Sequence, residues 1–370
     1  MPTGSGIDVL PDEVLHHILG FLEAHESVRT CVLARRWRHL WKSATGLRVL
    51  AGNGEFLGSL EKVCNFVDSL LRHCPASPLH TCEIRFTSFG HWILTLCEGG
   101  ESETRLLRHV NTWFWRVMAS VSCQVQVLRL RACCTDLVPG DDDPSLALDK
   151  RSVDSRHLTR LELYGIEVNR RFLDFSNCPL LEHLEFRNCL FDYDSRLRIC
   201  APSLVSLLLD YIWGLTPKLE SMPSLVKAVV TTEDCFDSCT VANCHCEFCD
   251  NSYSIGDDTG SNGSVLLKGL SEAKDLALIS GPDAYTFKVD LRWCPIFSKL
   301  KILLLNEYWC LPDDFRALVC ILEHSPVLEK LTLEISCEKH RQQTERKGTL
   351  RPMEGSAAIL EHLKIIEEDL

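Results

Sequence analysis

Long apolar runs and an excess of basic residues are both missing from this chain of 370 residues. No uncharged apolar stretch reaches the roughly 18 residues of a membrane span, so no membrane partner is expected. Asp and Glu number 51 against 39 Lys and Arg, a net charge of -12. This balance argues against nucleic acid as a partner, because phosphate binding needs clustered cations. No basic segment leads into an apolar run near the first residue, so no secretory signal is expected.

Motifs of catalysis and cofactor binding are also missing. The sequence contains no phosphate loop, no H-E-x-x-H and no G-x-S-x-G. Gly52, Gly54 and Gly58 come near a dinucleotide fingerprint, but the last spacing is wrong. We therefore predict a chain without catalytic residues, without a cofactor and without a bound metal.

Cysteine, by contrast, is abundant, with 20 residues. With no secretory signal expected, most should be reduced thiols. Four of them stand where a small apolar residue would pack, as buried free cysteines do: Cys82, Cys189, Cys294 and Cys320.

A Cys-rich segment at residues 231–264 holds six further metal-ligand candidates: Cys235, Cys239, Cys244, His245, Cys246 and Cys249. Their spacing matches no standard zinc finger. The surrounding Ser, Gly, Asn and Asp residues cannot form a core. We predict a flexible insertion without metal, and an ordered zinc site is the alternative.

Residues 8–43 show a dense helical pattern. Pro11 suits the first position of a helix, Asp12 and Glu13 suit its first turn, and Gly20 is expected to end it. Apolar residues recur at helical spacing through three short predicted helices: Val14, Leu15, Ile18, Leu19 and Leu22, then Val28 and Val32, then Leu33, Trp37, Leu40 and Trp41. A module this short buries little apolar surface by itself. Its apolar helix faces are therefore expected either to bind a partner or to cap the following domain.

The body of the chain repeats one six-residue pattern, L-x-x-L-x-L. Clear copies are Leu158/Leu161/Leu163, Leu181/Leu184/Phe186, Leu204/Leu207/Leu209, Leu300/Leu303/Leu305 and Leu328/Leu331/Leu333. Variant copies are Val125/Leu128/Leu130, Leu225/Ala228/Val230, Ala273/Leu276/Leu278 and Leu360/Leu363/Ile365. Their spacing is close to the leucine-rich repeat period of about 20–29 residues. Each repeat is predicted to add one strand to a parallel sheet in a curved solenoid.

Side chains alternate along a strand, so the leucines should point inward and the residues between them should line the exposed inner sheet. This face is the predicted target-binding surface. Its candidate residues are Arg129, Arg131, Arg160, Glu162, Tyr164, His183, Glu185, Arg187, Asp210, Lys330 and Glu334, with Asn306, Thr332 and Lys364 beside them.

The string from I-D-V-L-P-D-E-V-L to R-R-W-R-H-L-W, at residues 7–41, resembles the F-box of plant F-box/leucine-rich repeat proteins. The resemblance implies binding to the Skp-type adaptor of a cullin–RING ubiquitin ligase. It also implies that the adaptor is contacted by Leu10, Pro11, Ile18, Leu19, Val28 and Val32. Residues 265–333 look like the C-terminal repeats of the same family, which often end in a region called FBD, and here that end is truncated.

The sequence therefore predicts an α + α/β solenoid in five parts. These are a three-helix F-box at 8–43, a linker with irregular repeats at 44–120, leucine-rich repeats at 121–230, the Cys-rich segment at 231–264 and C-terminal repeats at 265–370. The predicted function is recruitment of an unknown target protein to an SCF-type cullin–RING ligase in the nucleus and/or cytoplasm. The alternative is a non-catalytic repeat scaffold without ligase involvement.

Overall fold

A computed structural model describes residues 6–51, 60–73, 79–86, 109, 111–117, 124–132, 153–168, 172–191, 196–220, 222–232, 265–281, 287, 290–291, 294–310, 315–335 and 364–369. The chain divides into two compact units. The first comprises Met1–Asn169 with Asn177–Leu181, and the second comprises Arg170–Ser176 with Glu182–Leu370.

The first unit begins with a helical module. Its α-helices are α1 (Asp12–Phe21) and α2 (Ala24–Arg29), and its 3-10 turns are Ile7–Val9, Thr30–Val32, Arg35–Arg38 and Leu40–Ser43. The prediction of a third helix was wrong, because the backbone is extended at Ala34 (φ -159°) and leaves helical geometry at His39. Trp37 and Leu40 are buried on either side of His39, so tertiary packing overrides the local helical pattern.

Four parallel strands follow in the first unit, in the order β1 (Gly46–Ala51), β2 (Thr81–Phe86), β3 (Val127–Ala132) and β4 (Arg160–Tyr164). Helix α3 (Leu60–His73) and helical residues 111–117 accompany them, and a short strand β5 (Glu167–Val168) comes last. The repeat pattern missed β1 and β2. Ala44/Leu47/Val49 and Leu79/Cys82/Ile84 have its spacing, with smaller or β-branched residues in place of leucine.

The second unit contains two parallel sheets. The smaller has the order β10 (Lys218–Leu219), β8 (Arg198–Cys200) and β6 (Phe172–Asp174). The larger has the order β7 (His183–Phe191), β9 (Ser206–Trp213), β11 (Lys227–Thr231), β12 (Asp275–Ile279), β13 (Ile302–Asn306), β14 (Lys330–Ile335) and β15 (Lys364–Asp369). Helices α4 (Leu267–Leu270) and α5 (Phe315–Glu323) and a 3-10 turn at Glu307–Cys310 lie between these strands. None of the helices in the described ranges has the length and apolar character to cross a membrane.

The register of the large sheet aligns equivalent positions of successive repeats. Leu207 stands opposite Leu184 on one side and Ala228 on the other, and all three are buried. The parallel sheet and the inward leucines are thus confirmed. The predicted alignment of the last repeat, Leu360/Leu363/Ile365, was wrong. Leu331 stands opposite Ile365 and not opposite Leu363. A shift of two residues leaves every side chain on the same face, so the apolar pattern alone does not fix this register.

Helix α1 meets β1 through two glycines. A Cβ atom on Gly20 would lie 2.7 Å from Gly46 N, and one on Gly46 would lie 2.4 Å from Gly20 O. The helix continues to Phe21, so Gly20 does not end it as predicted. Its role is to allow the helix backbone to approach the strand.

We expect Gly46→Ala to lower the free energy of unfolding by about 1–3 kcal/mol, because the added methyl group meets a backbone carbonyl that cannot rotate away. Chemical denaturation measures this, with Glu13→Ala at an exposed position of α1 as the matched control. Equal stability of Gly46→Ala and wild type would show that the close approach is not required.

Candidate functional site

The helical module has a small interior of its own. Leu15, Leu19, Trp37 and Leu40 form a buried cluster against which Leu10, Ile18, Leu22, Trp41 and Ala44 pack. Arg36 ties the 3-10 turns to the start of α1, because its Nε donates to Asp12 Oδ1 at 2.9 Å and its Nη2 donates to Leu10 O. The cluster fixes the orientation of α1 relative to the turns that follow it.

The surface of this module is unusually apolar. Among the described residues, twelve large apolar side chains are exposed, and half of them lie between residues 7 and 33: Ile7, Val9, Val14, Phe21, Val32 and Leu33. Val32 is 83% exposed and Leu33 is 67% exposed. Concentrated apolar exposure of this kind marks an interaction site.

The structure separates the predicted adaptor residues into three groups. Pro11 and Val32 are exposed, whereas Leu10, Ile18 and Val28 are half-buried. Leu19 is only 1% exposed and lies in the buried cluster, so it supports the surface from inside.

Sequence reasoning missed several of the exposed apolar residues. Leu33 was grouped on one face of a third helix with Trp37 and Leu40, but it is exposed at the end of a 3-10 turn while those two are buried. Ile7, Val9 and Phe21 lie at the ends of short elements, where helical periodicity gives no signal about exposure.

In the first unit, the residues between the buried leucines form a ladder of alternating charge. The strand register places Arg48, Glu83, Arg129 and Glu162 side by side. Glu83 is buried, and it pairs with Arg48 Nε at 3.2 Å and with Arg85 Nη2 at 2.8 Å. This carboxylate is therefore already paired with two arginines on the same face.

Glu162 is the centre of the predicted target residues in the first unit. Its carboxylate lies 3.0 Å from Arg129 Nε, 3.5 Å from Arg131 Nη2 and 3.7 Å from Arg160 Nη1. Tyr164 follows on the same strand and is half-buried. Three guanidinium groups around one carboxylate leave this cluster with a positive excess.

In the second unit, the remaining predicted target residues lie on β7, β9 and β14. Arg187 stands between Glu185 at 3.5 Å and Asp210 at 3.6 Å, and Thr231 Oγ1 donates to Asp210 Oδ1 at 3.2 Å. The other three candidates are half-buried: His183, Lys330 and Glu334.

An apolar row runs across the same face of the second unit. The register aligns Leu208, Val229, Ala277 and Leu304, and all four are half-buried. Ile302 on β13 is exposed beside this row. The sequence reasoning named only polar and charged residues here. The signal it passed over is the middle leucine of the runs at 207–209 and 303–305, which stands between two inward leucines.

Two of the residues placed on the predicted surface are instead buried. Asn306 Nδ2 donates to Ser280 O at 2.8 Å and its Oδ1 accepts from Ser280 N at 3.1 Å, so this amide satisfies backbone groups. Thr332 is also buried. The side chain of Lys364 lies outside the described residues, as do Cys235–Cys249 of the Cys-rich segment.

The four cysteines expected to pack as small apolar residues divide evenly. Cys82 and Cys189 are buried, which confirms the prediction. Cys294 and Cys320 are half-buried and lie beside His324, so their surroundings are polar on one side.

Known proteins resemble both the helical module and the body of the chain. Residues 7–46 match the F-box domain family. An F-box/LRR-repeat protein of Arabidopsis thaliana is 26% identical over 89% of this chain and 72% of its own length. Two others from that plant, an F-box/FBD/LRR-repeat protein at 30% identity and an F-box/LRR-repeat protein at 27%, cover 55% and 48% of this chain. The chain spans about half, 48%, of each of these two relatives. No solved structure matches.

Residues 7–46, the helical module with its buried cluster, are an F-box domain. The body of the chain is similar to plant F-box/leucine-rich repeat proteins.

Proposed function

We propose that this chain is the substrate-recruiting subunit of an SCF-type cullin–RING ubiquitin ligase. F-box domains generally bind Skp-type adaptors, and F-box proteins are typically non-catalytic subunits of such complexes. In this proposal the helical module docks the adaptor, the adaptor joins the chain to a cullin, and the repeats hold a target protein.

The observation that carries the proposal is the apolar exposure of residues 7–33. Helix-in-groove docking buries such side chains on a partner. Val32 and Leu33 would supply the most newly buried area, and Leu10, Pro11, Ile18 and Val28 would border it. Leu19 would act by holding α1 in place.

For the remainder of the chain, we infer a leucine-rich repeat solenoid. Its support is the shared register of the repeats, in which each copy adds one parallel strand with buried leucines. A repeat array exposes an extended face that suits binding of a protein target.

We place the target on the strand face of the second unit, where the apolar row lies between charged residues such as Arg187 and Lys330. Fully buried apolar contacts contribute most of the affinity in protein interfaces, while exposed ion pairs contribute little. In the ladder of the first unit both carboxylates are already paired with arginines, so this face would orient the target more than bind it tightly.

The function is tested by co-expressing the full chain with a Skp-type adaptor and isolating it by affinity. The adaptor should remain bound in equal amount through washing at moderate salt, because the contact is apolar and weakly screened. Absence of adaptor in the eluate would favour the alternative of a repeat scaffold without ligase involvement.

The target face is tested in cells with the proteasome blocked. A target protein that is captured by the wild-type chain should not be captured by the Leu208→Lys and Leu304→Lys double variant. Two charged lysines in the apolar row would have to be desolvated when the target binds. Val327→Lys, at an exposed apolar position away from this row, is the control. If capture is instead lost only with Glu162→Lys, the target lies on the first unit.

A further inference from the structure

Cys294, Cys320 and His324 bring three metal-ligand atoms together in the second unit. Two thiol sulfurs and one imidazole nitrogen all lie within 4.8 Å of one another, and the three residues are half-buried. Among the residues that the structure describes, no other group of His, Cys, Asp or Glu converges in this way.

The two halves of this cluster are held by contacts that do not use the ligand atoms. Cys320 lies in α5 and His324 follows its last residue, so the two are about one helical turn apart. Cys294 lies in the segment before β13. Phe297 N of that segment donates a 2.8 Å hydrogen bond to His324 O, which fixes the segment against the end of α5.

The ligand atoms themselves make only loose contacts with the protein through sulfur. Cys320 Sγ lies 3.7 Å from Leu291 O and Cys294 Sγ lies 3.6 Å from Pro295 O. His324 Nδ1 lies 3.9 Å from Cys320 Sγ and donates a 2.8 Å hydrogen bond to Cys320 O. A metal ion bound at Nδ1 would replace this hydrogen bond.

The geometry points to a Zn²⁺ site formed by Cys294, Cys320 and His324, with water as the fourth ligand. Tetrahedral zinc with Zn–S near 2.3 Å and Zn–N near 2.0 Å places its ligand atoms roughly 3.5–3.8 Å apart. The observed separations therefore need a closure of only about 1 Å or less. Thiolate and imidazole select zinc over calcium and magnesium, which prefer oxygen ligands.

Asp290 is near the site and does not supply the fourth ligand. It is completely buried, and its Oδ2 accepts hydrogen bonds from Leu266 N at 2.6 Å and Leu267 N at 2.7 Å at the start of α4. Its carboxylate is therefore committed to the backbone.

A disulfide between Cys294 and Cys320 is the competing use of the two thiols. A bound Zn²⁺ would displace the thiol protons and hold both sulfurs as thiolates.

Zinc at this position would join the segment before β13 to the helix before β14. These are consecutive connections of the repeat array, so the metal would stabilise the second unit. At free zinc 100 times above the dissociation constant, the folding equilibrium constant should rise about 100-fold.

The experiment uses the full chain with Cys235→Ser, Cys239→Ser, Cys244→Ser, Cys246→Ser and Cys249→Ser, which removes all the thiols of the Cys-rich segment. Cobalt(II) is titrated as a spectroscopic probe. One equivalent should produce the visible bands of tetrahedral cobalt with thiolate charge transfer, and Zn²⁺ should abolish them. Cys294→Ala and Cys320→Ala should each remove the charge-transfer intensity that the missing thiolate supplies.

Cys189→Ala, a buried thiol outside the cluster, is the matched control and should keep the full spectrum. In chelator, Cys320→Ala should have the same thermal unfolding midpoint as its parent, the chain with the Cys-rich segment substituted. Added zinc should raise the unfolding midpoint of the parent but not that of Cys320→Ala. Charge-transfer bands of undiminished intensity in both cluster variants, or no tetrahedral cobalt at all, would overturn the site. So would an intact mass showing loss of two hydrogens and a 294–320 disulfide in the metal-free protein.

Discussion

Val32→Glu combined with Leu33→Glu should lower the affinity of the chain for a Skp-type adaptor by at least about thirtyfold, the loss expected when an interface anchor worth 2 kcal/mol is removed. Both side chains are among the most exposed apolar groups of the described residues. A carboxylate at either position would have to be desolvated on docking, which opposes the complex further.

The measurement is a competition titration with purified adaptor. Because both residues are exposed, the double variant should unfold at the same temperature as wild type, so lost binding cannot be attributed to lost folding. Val226→Glu combined with Val327→Glu places the same charges on exposed apolar positions of the second unit, and adaptor affinity should not change. Undiminished affinity of the Val32 and Leu33 variant would remove these residues from the interface.

Leu184→Ala should lower the free energy of unfolding by about 2–5 kcal/mol, because it removes a fully buried side chain and leaves a cavity between strands. Leu184 stands opposite Leu207, so the loss is also felt by the next repeat. In a repeat array each unit is stabilised by its neighbours, and a cavity at one interface weakens both.

Denaturant unfolding followed by circular dichroism measures this loss. Glu185→Ala is the matched control, since the next residue of the same strand points to the opposite face. It removes a partly exposed ion pair with Arg187 and should change stability by less than about 1 kcal/mol. Equal effects of the two substitutions would contradict the assignment of Leu184 to the buried face of the strand and of Glu185 to the opposite face.

The repeats were predictable because their signal is redundant. Each strand carries leucines at fixed spacing, and burial of Leu161, Leu184 and Leu207 follows directly from side-chain alternation. The register of β15 was not predictable, since Leu363 and Ile365 lie on the same face of a strand and either could stand opposite Leu331.

The module at residues 8–43 was predicted less well than the repeats, although its resemblance to an F-box was clear. Helical spacing correctly placed Leu15 and Leu19 together, but it could not show that the chain breaks at Ala34 and His39. Those breaks arise from burial of Trp37 and Leu40 against α1, which is a tertiary effect. The outward position of Leu33 follows from them.

The apolar row and the Cys294, Cys320 and His324 cluster were not predicted, for a related reason. Their members come from separate repeats, and only the register or the end of α5 brings them together. Leu208 and Leu304 occupy outward positions of the repeat but were not named as candidates, and Cys294 and Cys320 were interpreted as separate packing residues.

Assembly of the chain with a purified Skp-type adaptor and cullin, followed by size-exclusion chromatography with light scattering, tests the central claim most directly. The account predicts one stable complex containing a single copy of each protein, with the cullin retained only when the adaptor is present. The Val32→Glu and Leu33→Glu variant should elute alone while keeping its folded size. Elution of the wild-type chain apart from both adaptor and cullin would contradict the proposal that it recruits targets to a cullin–RING ligase.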